Sequence, residues 1–120
     1  MRQAQLLAYD VPTPLLEGLR LLAQDRALWL REVRDPKSCL NLLVQAGAGV
    51  FVVHLGQKPE TELALLEHVT RLLPEIPAIA CLTTPHPSLA ALAWDLGAAY
   101  VAAPPQSGER VLEVVTGFLR

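Results

Sequence analysis

Short apolar runs alternate with amphipathic segments along this chain, and that alternation constrains its fold more than any single motif. The runs are residues 5–9, 27–30, 49–54, 77–82 and 99–103. Each is too short for a buried helix and apolar enough for a strand covered on both faces. The helical segments between them require parallel neighbours, because a helix returns the chain to the edge where the previous strand began. Right-handed crossovers then favour a doubly wound α/β sheet, (βα)5, with the expected strand order 2-1-3-4-5. Residues 1–120 are predicted to form one such domain.

Local signals support the units one by one. Pro12 and Pro14 suit a helix start, where the missing N–H is not needed, and Leu15, Leu16, Leu19 and Leu22 share a face behind them. Arg26, Arg31 and Glu32 flank the run at 27–30, which marks it as an edge strand. Asp35-Pro36 pairs a capping side chain with a helix-starting proline. Cys39, Leu40, Leu43 and Ala46 are the expected inner stripe of that helix, and Gly47 its stop. Residues 56–59 read as a loop, and Leu63, Leu66, Val69 and Leu73 as the next stripe, stopped by Pro74. After a proline-stiffened loop at 83–87, Ser88 is the expected N-cap of a helix whose stripe is Leu89, Leu92, Ala93 and Leu96 and whose end is Gly97. Residues 104–108 lead to a last helix with Val111, Leu112, Val115, Phe118 and Leu119 turned inward.

Composition removes several function classes. Hydrophobic residues make up 52% and charged residues 18%, with a formal net charge of -2. Such a balance offers no broad attraction to nucleic acid or to an anionic membrane, and no Lys/Arg run opposes it. No apolar stretch approaches the roughly 20 residues of a membrane span. Met1-Arg2-Gln3 leads straight into the first apolar run, too short a lead for a signal peptide, so a cytoplasmic location is expected. Cys39 and Cys81 form no close-spaced motif and read as buried, reduced thiols.

Several markers sit at the carboxyl ends of the predicted strands. Tyr9-Asp10 closes the first, His54 the third and Thr83 the fourth. The fifth reads Leu96-Gly97-Ala98-Ala99-Tyr100 on approach and ends Tyr100-Val101-Ala102-Ala103-Pro104. In these residues, and in the order and lengths of its units, nearly the whole chain resembles the CheY-like receiver domains of bacterial two-component response regulators. The resemblance implies that Tyr9 and Asp10 stand where a receiver carries an acidic pair for Mg²⁺. It puts His54 where the phosphoacceptor aspartate belongs, and Ala103 where a lysine precedes the proline. Thr83 and Tyr100 match the hydroxyl and aromatic that act there as a switch. Phosphorylation of a receiver needs a carboxylate nucleophile, a divalent cation and the lysine's charge. Histidine cannot form an acyl phosphate, and Tyr9 removes a hard oxygen ligand. The resemblance thus implies a degenerate pseudo-receiver, not an enzyme, that works by protein–protein interaction.

Parallel sheets bind ligands at the carboxyl rim, and Asp10, His54, Thr83, Thr84 and His86 are all expected there. In the simplest reading, His54 fills the pocket and hydrogen-bonds Asp10 or a backbone carbonyl. The alternative is a small-ligand or metal sensor in which Asp10, His54 and His86 converge, since imidazole and carboxylate suit Zn²⁺. Residues 10–14 lack the glycines that let backbone amides wrap a phosphate, which argues against FMN, dinucleotide and P-loop roles. No Gly-x-Ser-x-Gly or paired-cysteine motif occurs, and no cofactor is expected.

Trp94 falls roughly opposite the predicted stripe of its helix, beside Ala90 and Ala91. An exposed indole there asks for a partner to cover it. In receivers, the fourth helix, fifth strand and fifth helix form the usual dimer or target face. The expected partner is accordingly another protein or a second copy of this chain, bound around Trp94, Tyr100 and the last helix. Trp29 reads as strand core or edge packing, His68 as solvated surface, and Glu60, Glu62 and Glu67 as acids suited to a helix N-terminus.

Overall fold

The computed structural model describes residues 5–46, 49–56, 59–104 and 108–119. Five strands and five helices alternate: β1 Gln5–Tyr9, α1 Thr13–Asp25, β2 Trp29–Val33, α2 Pro36–Ala46, β3 Gly49–His54, α3 Pro59–Leu72, β4 Ala78–Cys81, α4 Pro87–Asp95, β5 Tyr100–Ala102 and α5 Gly108–Phe118. The strands form one parallel sheet in the order β2-β1-β3-β4-β5, as predicted. The expected helix stop at Gly47, the loop residues Gln57 and Lys58, residues 105–107 and the lead-in at Met1-Arg2-Gln3 lie outside the described residues.

Alternation along the strands divides the core in two. On one face Leu7, Tyr9, Phe51, Val53, Ala78, Ala80 and Val101 meet α2, α3 and α4. On the other Leu6, Ala8, Val50, Val52, Ile79 and Ala102 meet α1 and α5. At the amino ends Gly49 lies so close to the Gln5 carbonyl that no Cβ would fit, which lets β3 lie flush beside β1. Cys39 and Cys81 are buried free thiols, and burial pushes both up to about 12.

The structure shifts several predicted boundaries. The second strand runs Trp29–Val33, not 27–30. Ala27 takes a left-handed φ of 54° and Leu28 N–H donates to the Ala23 carbonyl, so these residues close α1. The strand instead carries Arg31 and Glu32, which an edge position keeps in water. Trp29 is 52% exposed there, with the Arg31 guanidinium 4.9 Å above its ring. Asp35 caps α2 as expected, accepting from the Ser38 N–H and hydroxyl at 2.9 Å. Helix α4 starts at Pro87 with His86, not Ser88, as its cap: His86 Nδ1 accepts the Leu89 N–H at 3.1 Å. Its inner face is Ala93, with Leu89, Ala90 and Leu96 part-buried, and Leu92 turns out to solvent. Ala93, Leu89 and Leu96 of the expected stripe thus face the core, and only Leu92 departs from it. In α5, Val111 and Val115 are buried, but Phe118, expected inside, is exposed in the helix's last turn. No helix among the described residues is long and apolar enough to cross a membrane.

Candidate functional site at the carboxyl rim of the sheet

His54 ends β3, following Val50 and Val52 in the strand's alternation, and is half-buried. The β3–β4 register sets it beside Cys81, so the chain leaving β4 brings Thr83 within reach. His54 Nε2 lies 3.3 Å from Thr83 Oγ1. The imidazole rests on Gly56 so closely that a Cβ at that position would collide with the ring. Burial holds the His54 pKa below its ordinary value, while the charge and backbone carbonyl of Asp10 pull it the other way. Neutral imidazole is therefore the favoured form. Asp10 follows β1 with φ 53°, a left-handed conformation that aspartate tolerates, and its N–H donates to the Val33 carbonyl at 3.0 Å. Its side chain stands exposed on the rim.

A second acid lies beneath this rim. Glu62, in the first turn of α3, is only 3% exposed, and its Oε1 accepts the Gly56 N–H at 2.7 Å. Burial raises its pKa; the Gly56 hydrogen bond opposes that shift, and the nearby Asp10 charge adds to it. Tyr9, 4% exposed, packs into the α2–α3 side of the core, and burial, then the Glu62 and Asp10 charges, raise its phenol. Sequence reasoning read Glu62, with Glu60 and Glu67, as an acid suited to the helix N-terminus and gave it no part at the rim. A signal existed: Glu62 precedes Leu66 and Val69 by four and seven residues, the spacing of one helical face.

The structure joins His54 to Thr83 and sets His54 near Asp10, with Glu62 reached through Gly56. It does not bring His86 into that group. His86 and Thr84 are exposed, and the His86 imidazole is engaged as the α4 cap. Among the described residues no three His, Cys, Asp or Glu side chains gather in a way that could hold a metal ion. Ala103 is half-buried against the α2–α3–α4 side of the core. A cleft of about 270 Å³ opens nearby between α1, the ends of β4 and β5, and α5.

A separate surface lies at the β5 margin. Trp94 is 46% exposed and meets Tyr100 edge-on, ring centroids 5.9 Å apart. The Arg110 guanidinium stands 5.9 Å from the Tyr100 ring centre and pairs with Glu113 at 3.1 Å. Together α4, β5 and α5 carry an aromatic pair edged by charge.

The strand order and this rim together define a CheY-like fold, that of response-regulator receiver domains. The chain is similar to the signal receiver domain of an HD domain-containing protein from Pseudomonas fluorescens Pf-5, with 21% identity over 98% of this chain and 95% of that one at a TM-score of 0.79. A response regulator from Thermotoga maritima matches with 12% identity over 98% of both chains, TM-score 0.80. An orphan response regulator of H. pylori matches with 14% identity over 100% of both, TM-score 0.75. No protein-family model and no curated protein matches the sequence. Receiver domains generally serve as signalling modules rather than enzymes.

Proposed function

We propose that this chain is a receiver-fold signalling module that accepts no phosphoryl group on aspartate and acts by binding protein, with homodimerisation included. The observation carrying this reading is His54 at the carboxyl end of β3, in contact with Thr83. An acyl phosphate needs a carboxylate at that point, and imidazole supplies none. The neighbours compound the loss. Tyr9 is a buried phenol in place of a hard cation ligand, and Ala103 contributes no charge to offset a phosphoryl group.

Binding is assigned to the α4–β5–α5 face, where exposed Trp94 meets Tyr100 and Arg110 stands by the Tyr100 ring. Half-exposed tryptophan next to arginine is the composition of an interface centre. The reading is non-enzymatic, involves no direct nucleic-acid contact and suits the cytoplasm. Incubation with acetyl phosphate, or with beryllofluoride and Mg²⁺, tests it by intact mass and amide NMR. The expected result is no adduct and no Mg²⁺-dependent shift at residues 8–10, 53–56 or 82–84. A stoichiometric adduct would overturn it.

A further inference from the structure

We propose that the cleft between α1, β4, β5 and α5 is a binding site for a small, uncharged, ring-containing molecule that hydrogen-bonds the Thr83 hydroxyl. This site is distinct from the Asp10, His54 and His86 group, none of which lines it. It also stands apart from the Trp94 face, so it does not depend on the partner reading above.

Position, size and charge carry the inference. The cleft opens at the carboxyl ends of parallel strands, where such sheets bind ligands. Its volume of about 270 Å³ exceeds the roughly 150 Å³ that suffices to hold benzene in an apolar cavity, so one ring with a substituent, or two fused rings, fits. The walls are Pro12, Pro14 and Leu15 on one side and Leu82, Pro104 and Val111 on the other. Three prolines make those walls stiff, which spares a ligand the entropy of ordering them.

Among the described residues, none that lines the cleft is charged. Helix α1 offers little to an anion, because Pro12 and Pro14 at its start lack N–H groups. Glu109, in the first turn of α5, sets a negative charge against one. A neutral guest is therefore preferred. Thr83 lines the cleft, and its hydroxyl lies 3.3 Å from His54 Nε2. A guest bound to that hydroxyl shares it with the imidazole, so occupancy is read at His54.

Titration of the ¹⁵N-labelled chain with indole tests the site: indole is neutral and bicyclic, and its N–H can donate to Thr83 Oγ1. The expected result is saturable shifts at the amides of Leu82, Thr83, Ala102 and Val111, together with movement of the His54 ring protons. Indole-3-carboxylate, the same rings with a charge, is expected to bind more weakly. Gly108→Ala retains binding, because its Cβ would meet Leu15 Cδ1 at 3.6 Å, an ordinary contact. Gly108→Leu fills the cleft from its rim and abolishes the shifts. Thr83→Val, at an exposed position, keeps the fold and weakens binding. Any of four results overturns the proposal: no saturable shift up to the solubility limit of indole, shifts centred on Trp94 and Tyr100, a carboxylate that binds as well as indole, or unaltered binding by both Gly108→Leu and Thr83→Val.

Discussion

The Glu62 carboxylate, buried at the start of α3, accepts the Gly56 N–H at 2.7 Å, and Gly56 in turn carries the His54 imidazole. One buried acid thereby fixes the chain just after β3 and the platform on which the rim histidine rests. Its cost is electrostatic, since burial disfavours the ionised form and the Asp10 charge lies near.

Replacing Glu62 by Gln removes that cost and keeps an oxygen to accept the Gly56 N–H. The unfolded carboxyl ionises near 4.5, and the folded one at a higher pH. Between the two values the folded chain holds a proton the unfolded chain has lost, so stability falls as pH rises. Above the folded value the penalty is fully present. Glu62→Gln is expected to melt above the native chain at neutral pH and to converge with it near about pH 4. Melting curves across this range check it; parallel curves would contradict it.

His54 works in the opposite sense. The unfolded imidazole protonates near 6.5 and the folded one lower. As pH drops through 6.5 the unfolded chain takes up the proton first, so stability falls until the folded value is passed and then levels off. Stability from this source is whole above 6.5. His54→Gln should show a smaller loss of melting temperature between about pH 7 and pH 5.5 than the native chain.

His54→Asp puts a third carboxylate near Asp10 and Glu62. With no cation this is expected to destabilise by about 1–2 kcal/mol. Millimolar Mg²⁺ should recover part of the loss through binding to the folded state, and should leave the native chain unchanged. Thermal unfolding with and without MgCl₂ measures both effects.

Trp94→Ala removes one ring of the edge-on pair with Tyr100, worth about 0.5–1.5 kcal/mol. Its larger effect is expected on association. Sedimentation velocity should show the self-associated fraction of the native chain lost in the variant. A large fall in melting temperature with unchanged mass would assign Trp94 to folding instead.

Gly97 follows α4 with φ 107°, outside the regions open to L side chains, and a Cβ there would meet Thr70 Cβ at 3.1 Å. Thr70 cannot yield freely, since its hydroxyl donates to the Leu96 carbonyl at 2.7 Å. Gly97→Ala is expected to cost about 1–3 kcal/mol, read from denaturant unfolding.

How much of this was legible in the chain depended on how far each signal is local. Residues 49–54 announce β3 to the residue because a strand buried on both faces must be apolar throughout. Asp35-Pro36 announces its cap because capping partners lie three residues away. At the edge the same logic misleads: β2 runs through Arg31 and Glu32, which no apolar run would include, because hydrogen bonding to β1 rather than burial decides the pairing there. In α4 three of the four expected inner residues, Leu89, Ala93 and Leu96, face the core, and only Leu92 turns to solvent.

Local chemistry along the chain determined the order of strands and helices, the parallel sheet and the histidine at the end of β3. Those features follow from periodicity and chain direction, which any stretch of residues carries within itself. Only the tertiary structure decided that Glu62 is buried, that His86 serves a helix rather than the rim, and that Thr83 stands between His54 and an apolar cleft. Each depends on which side of a helix meets the sheet and how far a loop reaches. Distances through space set both, and spacing along the chain does not encode them.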